Sequence, residues 1–306
     1  MDAALSASGD GWSAWPAPAK LNLFLHVVGR RDDGYHLLQT VFQLLDRGDT
    51  LRLRVRDDGE IRRVEPLPGV AAEDDLAVRA ARALQAAAGV RLGADVAIDK
   101  RIPLGGGLGG GSSDAATALV ALNALWNARL DEDALAGIAL SLGADVPVFV
   151  RGRSAWAEGV GERLTPVSLP PRWYVVVDPG VQVPTAALFR DPELTRDAPR
   201  MTIAGFVSGL ATANAFEPVV RRRYAAVARA LDWLGRHGAA RLSGSGGCAF
   251  VAVDSFEDAG DLVRQCPANL RAFAARGVDE SPLLARLRAW HEARGAEFSV
   301  GASPSW

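Results

Sequence analysis

The most informative part of the sequence is PLGGGLGGGSSDAA, Pro103 to Ala116, which places six glycines in the seven residues from Gly105 to Gly111. Glycine loses the most conformational entropy on ordering, so a dense run is retained where the backbone takes positive φ or lies directly against a partner. Ser112, Ser113 and Asp114 follow, which are residue types favoured at helix N-caps, and apolar residues then recur at helical spacing. The pattern predicts a capped, amphipathic helix behind a glycine loop, where free N–H groups bind phosphate.

Three interpretations of this loop compete. A flexible linker is disfavoured because linkers rarely run into a capped amphipathic helix. Gly105, Gly107 and Gly110 satisfy the dinucleotide-binding pattern GxGxxG, but a proline stands at the loop entrance and a second predicted helix, 131–142, follows the first. The sequence has no Gly-Lys pair, which a P-loop of the Walker A type requires. We favour a triphosphate-binding loop of another kind.

Composition limits the classes of function. With 306 residues and 49% apolar content, the chain can bury a sizeable core, and we expect two domains of about 150 residues. A net charge of -2 gives no electrostatic case for binding nucleic acid or an anionic membrane. No signal peptide and no long apolar run is apparent, and two cysteines outside any CxxC pair fit a reducing compartment. The expectation is a cytoplasmic protein with a small-molecule ligand, as a monomer or homodimer.

The segment KLNLFLHVV, 20–28, alternates in polarity and predicts a strand. Its leucines form the core face. Lys20 and Asn22 share the other face, which is typical of groups directed into a cleft, although a solvated lysine is the commoner case. The turn sequence RRDDG then precedes Tyr35 and His36, for which ordinary packing is the simplest interpretation.

The segments before the glycine loop alternate between strands and a helix. Residues 51–56 predict a half-exposed strand that continues through a turn at 58–59 as an antiparallel hairpin. Residues 73–87 predict a helix with an acidic start. The strand 95–103 leads into the loop, and its Lys100 is either a basic neighbour of bound phosphates or an exposed edge charge.

The second half of the chain supplies a further glycine-rich turn. GADVPVFV, 143–150, places Asp145 before a predicted buried strand, where an aspartate is most often a turn former. Three prolines near 166–171 predict the boundary between domains 1–166 and 167–306. SGSGG, 243–247, predicts either a plain hairpin turn or a second wall of the phosphate cleft. The residues from 294 to 306 are expected to form a loose tail.

Five motifs, in this order, resemble the GHMP family of small-molecule kinases: PAKLNLFLHV, GYHLLQT, PLGGGLGGGSSDAA, GADVPVF and SGSGG. The resemblance covers about residues 15–284. The glycine loop by itself indicates only the family, whereas GYH and GADVPVF point to members whose substrate carries a cytidine diphosphate group. The resemblance implies an α+β fold of two domains with the cleft between them, ATP and Mg²⁺ as cofactors, and phosphoryl transfer to a hydroxyl group.

The resemblance also implies roles for individual residues. Lys20 and Asp145 match the catalytic pair, and no protein ligand for the metal is implied. One departure is Asp75, because the family often has asparagine at that position near the adenine pocket. The matched substrate-binding residues are Asn22, Tyr35, His36, Thr185 and Phe189. The matched ATP-binding residues are Pro103, Leu104, Gly105, Gly106, Gly107, Leu108, Gly109, Gly110, Gly111, Ser112 and Ser113, with Lys100 as their basic neighbour.

Two alternatives stay open at this point. The chain could be another GHMP kinase, acting on an alcohol such as homoserine or mevalonate. It could also be a catalytically silent sensor of the same fold, although a binding module needs neither Lys20 nor Asp145.

Overall fold

The structure is a computed structural model that describes residues 10–210 and 212–300, without the side chains of 295–300. The strands in chain order are β1 (Trp12–Arg30), β2 (His36–Arg56), β3 (Ile61–Arg63), β4 (Gly93–Asp99), β5 (Ala155–Glu158), β6 (Arg163–Pro166), β7 (Trp173–Asp178), β8 (Arg241–Leu242), β9 (Ala249–Val253) and β10 (Arg271–Val278). The helices are α1 (Leu76–Ala88), α2 (Gly110–Leu125), α3 (Glu132–Leu142), α4 (Val146–Arg151), α5 (Thr185–Phe189), α6 (Ile203–Val207), α7 (Glu217–Arg223), α8 (Ala225–Leu234), α9 (Phe256–Arg264) and α10 (Pro282–Val300).

One sheet runs through the described part of the chain, in the order β3-β4-β2-β10-β7-β9-β8, with β1 and β5 also paired to β2. The long hairpin of β1 and β2 is its main feature. Pairing runs from Trp12 opposite Arg54 to Arg30 opposite His36, with register shifts at three places. Such irregularities bend a strand and redirect its side chains. The hairpin therefore carries Lys20 near its middle and His36 at its turn.

Helix α2 lies at the centre of the first half of the molecule. Residues 113–122 are all buried, because α1, α3 and α4 pack around it against the sheet. The expectation of an amphipathic helix capped by Ser112, Ser113 or Asp114 was therefore wrong. The helix begins earlier, at Gly110, with Gly109 as the N-cap residue at φ 72° and no side-chain cap. The last glycines of the loop thus form the first turn of the helix.

Two other local predictions were also wrong. Residues after Asp145 form the short helix α4 instead of a strand, and Pro147 in its first turn is compatible with helix because that N–H has no helical partner. Strand β3 does not continue an antiparallel hairpin from β2. It pairs in parallel with β4, because β4 occupies the position next to β2.

The end of the chain returns to the first half. Strand β10 pairs with both β2 and β7, so it joins the two parts of the sheet. Helix α10 then packs into the first core through Leu283, Leu287 and Trp290. A loose tail was expected from Arg294, but α10 extends to Val300, and residues 301–306 lie outside the described range. No helix in the described ranges is long and apolar enough to cross a membrane.

Candidate active site

A cleft of about 1280 Å³ lies between the β1–β2 hairpin, the glycine loop and the segments around α5 and the 243–247 turn. A smaller cavity of about 300 Å³, between α2, α3 and α10, contains none of the predicted site residues. The predicted site residues that line the large cleft are Lys20, Asn22, Tyr35, His36, Gly105, Gly107, Gly109, Gly110, Gly111, Ser112, Asp145, Thr185 and Phe189. The structure therefore brings together residues that the sequence spreads over 170 positions, counted from 20 to 189.

The glycine loop, 103–109, rests directly on the second glycine turn, 243–247. The N–H of Gly247 donates to the carbonyl of Gly105 at 3.3 Å, and the N–H of Cys248 donates to that of Gly106 at 3.1 Å. The Ser243 hydroxyl donates to the carbonyl of Gly107 at 3.0 Å. The two segments thus form one continuous floor of the cleft, as in the second of the two interpretations of SGSGG, whereas phosphate binding at this turn stays a prediction.

The glycines at this contact are required by the close approach of two backbones. A Cβ added to Gly246 would lie 2.0 Å from the Gly107 nitrogen, and one added to Gly107 would lie 2.0 Å from the Ser243 carbonyl oxygen. Gly107 also has φ 77°, which disfavours residues with a side chain. Any side chain at either position would push the two segments apart.

Lys20 is 2% exposed, and its ammonium is fixed by several partners. The Nζ atom donates to Asn22 Oδ1 at 2.5 Å and to the Gly107 carbonyl at 2.9 Å. It lies 3.3 Å from Asp145 Oδ2. The ammonium therefore sits where β1, the glycine loop and the start of α4 meet.

Asp145 occupies the N-cap position of α4 but makes no capping hydrogen bond with its side chain. Its side chain is 37% exposed, so the carboxylate faces the cleft while one oxygen contacts Lys20. An accessible carboxylate beside a buried ammonium is an arrangement suited to accepting a proton from a bound hydroxyl group.

Asn22 is held by a short chain of hydrogen bonds. Its Nδ2 donates to Thr40 Oγ1 at 2.9 Å, and the Thr40 hydroxyl donates to the Phe24 carbonyl at 2.5 Å. Because Nδ2 is used toward Thr40, Oδ1 is left to accept from Lys20. Asn22 thereby orients the lysine ammonium within the cleft.

Lys100 occupies a different environment from the other predicted ATP-binding residues. Its Nζ lies 2.5 Å from Asp49 Oδ2 and 2.8 Å from Asp114 Oδ2. Asp49 Oδ1 also accepts from the backbone N–H groups of Arg101 and Ile102 at 2.6 and 2.8 Å. This network ties the entrance of the glycine loop to the helix that follows it. We propose that Lys100 supports the loop from behind, since its ammonium already pairs with two carboxylates.

The remaining predicted loop residues lie beneath or beside the cleft. Leu108 is buried, and its carbonyl accepts from the N–H of Lys20 at 3.0 Å. The Pro103 carbonyl accepts from the N–H of Gly106 at 3.4 Å, while Leu104 is partly exposed. Ser113 is fully buried, and its Oγ has no hydrogen-bond partner among the described residues. These residues shape the loop, and the buried Oγ of Ser113 is left without a partner among the described residues.

The opposite end of the cleft is aromatic. The His36 ring stacks on Phe189 with ring centroids 4.6 Å apart, and Phe216 meets Phe189 edge to face at 5.0 Å. Tyr35, in the hairpin turn, is 64% exposed. The Thr185 hydroxyl lies 2.6 Å from that of Ser245, which connects this end to the second glycine turn. His36 and Phe189 lie too close for a third ring between them, so a planar ligand would stack on an outer face or on Tyr35.

Comparison with known proteins gives the family. The GHMP kinases N terminal domain matches residues 75–153, and the GHMP kinases C terminal domain matches residues 203–272. The 4-diphosphocytidyl-2-C-methyl-D-erythritol kinase of Xanthomonas euvesicatoria pv. vesicatoria (strain 85-10) is 62% identical over 288 residues, which are 94% of this chain and 98% of that protein. The chain belongs to the GHMP kinase family. The kinase of the same name from Halorhodospira halophila (strain DSM 244 / SL1) is 62% identical over 275 residues, 89% of this chain and 95% of that protein.

Solved structures agree with this assignment of the GHMP kinase. A crystal structure of 4-(cytidine 5'-diphospho)-2C-methyl-D-erythritol kinase superposes with a TM-score of 0.76 at 37% identity, over 87% of this chain and 99% of that one. Homoserine kinase from Cytophaga hutchinsonii ATCC 33406 shares the fold, with a TM-score of 0.66 at 16% identity, over 90% of this chain and 96% of that one. The predicted α+β GHMP kinase fold is therefore confirmed, and the enzyme is a small-molecule kinase that uses ATP.

Asp75, the departure from the family pattern, has a structural role in this GHMP kinase. Its Oδ1 accepts from the N–H of Ala77 at 2.9 Å and so caps α1. Its Oδ2 lies 3.1 Å from Arg63 Nη1, and both side chains are buried. A carboxylate can hold the helix end and the arginine together, whereas a neutral asparagine would lose the charge of the ion pair.

Two residues of the kinase cleft were not predicted from the sequence. Arg30 and Arg196 line its aromatic end, whereas Ser245, which lines the floor, belongs to the turn 243–247 that was considered as a second wall. Arg30 lies in the turn sequence that precedes Tyr35, which could have been a signal for it. Arg196 lies in a segment without regular structure between α5 and α6, and no motif marks that position.

Replacing Gly246 with alanine is expected to raise the KM of this GHMP kinase for ATP by about tenfold, because the new Cβ forces the glycine loop away from the 243–247 turn. Steady-state kinetics with varied ATP measures the change. Gly137→Ala is the matched control, since a Cβ at that helical position meets nothing within 4 Å. An unchanged KM for ATP in Gly246→Ala would show that the contact does not position the loop.

Proposed function

We propose that this GHMP kinase transfers the γ-phosphoryl group of ATP to the 2-hydroxyl of 4-diphosphocytidyl-2-C-methyl-D-erythritol. The products would be the 2-phosphate and ADP, in the non-mevalonate route to isoprenoid precursors. Two relatives that are 62% identical over most of their length carry the name of this kinase, which supports the choice of substrate. The observation that carries the reaction is the Lys20–Asp145 pair beside the glycine loop.

The residues divide the work of the reaction between them. Phosphoryl transfer passes through a loose transition state, so the protein contributes mainly position and charge. Asp145 accepts the proton of the substrate hydroxyl as the hydroxyl attacks. The Lys20 ammonium offsets negative charge on the transferring group. The N–H groups of the glycine loop and of the first turn of α2 hold the phosphates of ATP.

Mg²⁺ forms part of the proposal, and Ser113 is a residue that fits it. The buried Oγ of Ser113 is an unpartnered oxygen at the start of α2, and hydroxyl oxygen is a suitable ligand for this ion. Among the described residues, no group of three or more His, Cys, Asp or Glu side chains could hold a metal ion. We infer that Ser113 and phosphate oxygens would hold Mg²⁺, which neutralises phosphate charge when bound.

The aromatic end of the cleft supports recognition of cytosine. Tyr35 offers an exposed ring, and the pair of His36 and Phe189 offers a second aromatic surface. Stacking of one base on an aromatic side chain contributes about 1–3 kcal/mol. Thr185 and Asn22 add polar groups between this surface and Lys20. We infer that the cytidine diphosphate group binds here and thereby places the alcohol at Asp145.

The assignment also covers location and assembly. A cytoplasmic site is supported by two cysteines that form no disulfide. We propose that the protein acts on its small-molecule substrate as a monomer or homodimer, and the cleft residues named above all come from one chain.

The test is a coupled assay of ADP release with ATP and Mg²⁺. The full cytidyl substrate is compared with the same alcohol lacking cytidine diphosphate. We expect turnover with the cytidyl substrate alone. Equal turnover with both alcohols would remove the proposed role of the aromatic end. Turnover with neither would overturn the proposal in favour of another alcohol, such as homoserine or mevalonate, or of a silent sensor.

A further inference from the structure

Arg196 connects His36 to the segment that carries Phe189. Its Nε donates to His36 Nε2 at 3.3 Å. Its Nη2 donates to the carbonyls of Phe189 and Asp191, both at 2.8 Å, and its Nη1 donates to that of Leu194 at 3.0 Å. One guanidinium thus contacts the start of β2 and three carbonyls between the end of α5 and Leu194. No part of the proposed reaction uses this residue.

The segment held by Arg196 is anchored on its other side as well. The Asp191 carboxylate is buried and pairs with Arg222 and Arg223 of α7. Because both sides are fixed, the Phe189 ring has a defined position for the His36 ring to stack on. Arg196 links the two parts, because it donates hydrogen bonds both to His36 and to the segment that follows Phe189.

The contact also determines which nitrogen of His36 carries a proton. An arginine side chain can only donate, so Nε2 of the imidazole has to accept. The proton of neutral His36 is therefore on Nδ1, and no described residue accepts a hydrogen bond from that atom. Burial, followed by the charges of Arg196 and Arg30, lowers the pKa of His36 from its ordinary value. The ring is thus neutral near pH 7, with an Nδ1–H donor available.

Other charged groups near this ring are already paired or lie to the side. Asp33 of the turn pairs with Arg31 at 2.7 Å, and Asp191 pairs with α7 as described. Arg190 lies at the same rim, and its guanidinium makes no hydrogen bond or ion pair with any described residue, although its backbone N–H donates to the carbonyl of Leu188. The charges that act on His36 are therefore positive, because the nearby carboxylates of Asp33 and Asp191 are paired with other arginines.

We propose that Arg196 is a positioning residue for base recognition, which holds His36 as an Nδ1–H donor stacked on Phe189. A donor in this place favours a base edge that presents acceptors, such as N3 and O2 of cytosine. This inference rests on the proposed function, because it assumes that the substrate carries a base at this end of the cleft.

The experiment measures CDP binding to the full-length enzyme by calorimetry at several pH values, and turnover alongside it. Arg196→Met is expected to weaken CDP binding about three- to tenfold at pH 7, because the His36 ring loses its partner and its fixed tautomer. Removing a neighbouring cation also raises the pKa of His36, so the ratio of wild-type to variant affinity for CDP should change between pH 7 and pH 6. The terminal phosphate of CDP titrates in the same range, but it affects both proteins alike and cancels in that ratio. The KM for ATP should stay unchanged.

Two further variants separate positioning from charge and from folding. Arg196→Lys keeps the charge but cannot bridge the same set of groups, so it should bind CDP more weakly than wild type while keeping the wild-type pH dependence. Arg190→Met removes a charge from the same rim and should also leave the pH dependence unchanged. Thermal unfolding confirms that each variant is folded.

The outcomes distinguish this inference from the proposed function. If wild type neither binds CDP nor turns over the cytidyl substrate, the proposed function fails, and this inference fails with it. If wild type does both and folded Arg196→Met binds CDP with wild-type affinity and pH dependence, only the role of Arg196 is wrong.

Discussion

Asp145→Asn is expected to lower kcat by about 10²–10⁴ while the KM for ATP changes little, because the amide cannot accept the proton of the attacking hydroxyl. The variant is nearly isosteric, and the Asp145 side chain makes no capping bond that folding requires. The measurement is kcat with saturating ATP and the cytidyl substrate, together with nucleotide binding by calorimetry. Intact nucleotide binding would separate a loss of chemistry from a loss of structure.

A double variant sharpens this prediction. If Asp145 and Lys20 act as one unit across their 3.3 Å contact, Lys20→Met combined with Asp145→Asn should lose little more activity than the worse single variant. Fully multiplicative losses would mean that the two residues act separately. Near-normal kcat in Asp145→Asn would remove the carboxylate from the mechanism.

Lys100→Met is expected to destabilise the protein by about 3–5 kcal/mol, because two buried carboxylates would lose their shared cation. Asp49 and Asp114 are almost fully buried, and Lys100 lies within 2.5 and 2.8 Å of them. Denaturant unfolding at pH 8 measures the change. Arg101→Met is the matched control: its partner Asp99 is exposed, so its loss should cost less than about 1 kcal/mol.

The same variant has an expected dependence on pH. Burial raises the pKa of Asp114 to about 7 in the folded protein, although Lys100 opposes this shift. Removing the ammonium raises the pKa further, so the folded state holds its proton more strongly than the unfolded chain does. An acid with a raised folded pKa stabilises the fold at low pH, and that stabilisation is lost as the pH rises. The defect of Lys100→Met should therefore be smaller at pH 5 than at pH 8. An equal defect at both values would contradict a charge effect.

The sequence predicted the elements whose signals are local. Alternation placed Lys20 and Asn22 together on one face of a strand, and the structure has both in β1 facing the cleft. The glycines of the first loop predicted either positive φ or a close approach to a partner, and Gly107 shows both, but that its backbone partner is the second glycine turn at Gly246 was not predicted. Asp131 and Asp75 were each placed at the start of a predicted helix, and both cap one.

The features that the sequence did not predict depend on contacts between distant parts of the chain. The run VPVFV is apolar and β-branched and so resembles a buried strand, but it forms the helix α4, whose residues 146–150 are all buried in the surrounding core. Strand β3 is too short for its sequence to indicate which strand it pairs with. It pairs with β4 because β4 lies between it and β2 in the sheet. The partners of Lys100 lie at positions 49 and 114, so its pairing was not visible from its neighbours in sequence.

The long β1–β2 hairpin fixes the distance between the two ends of the substrate-binding cleft. The same two strands hold Lys20 in their middle and His36 at their turn, so the number of strand residues sets how long a substrate must be to reach from one to the other. Side chains alternate along a strand, and a shift by one residue moves each of them to the opposite face. A single insertion between Asn22 and Arg30 would therefore change both the distance from Lys20 to His36 and the face of the strand on which the following side chains lie. We expect variation in length among such enzymes to be confined to other parts of the chain.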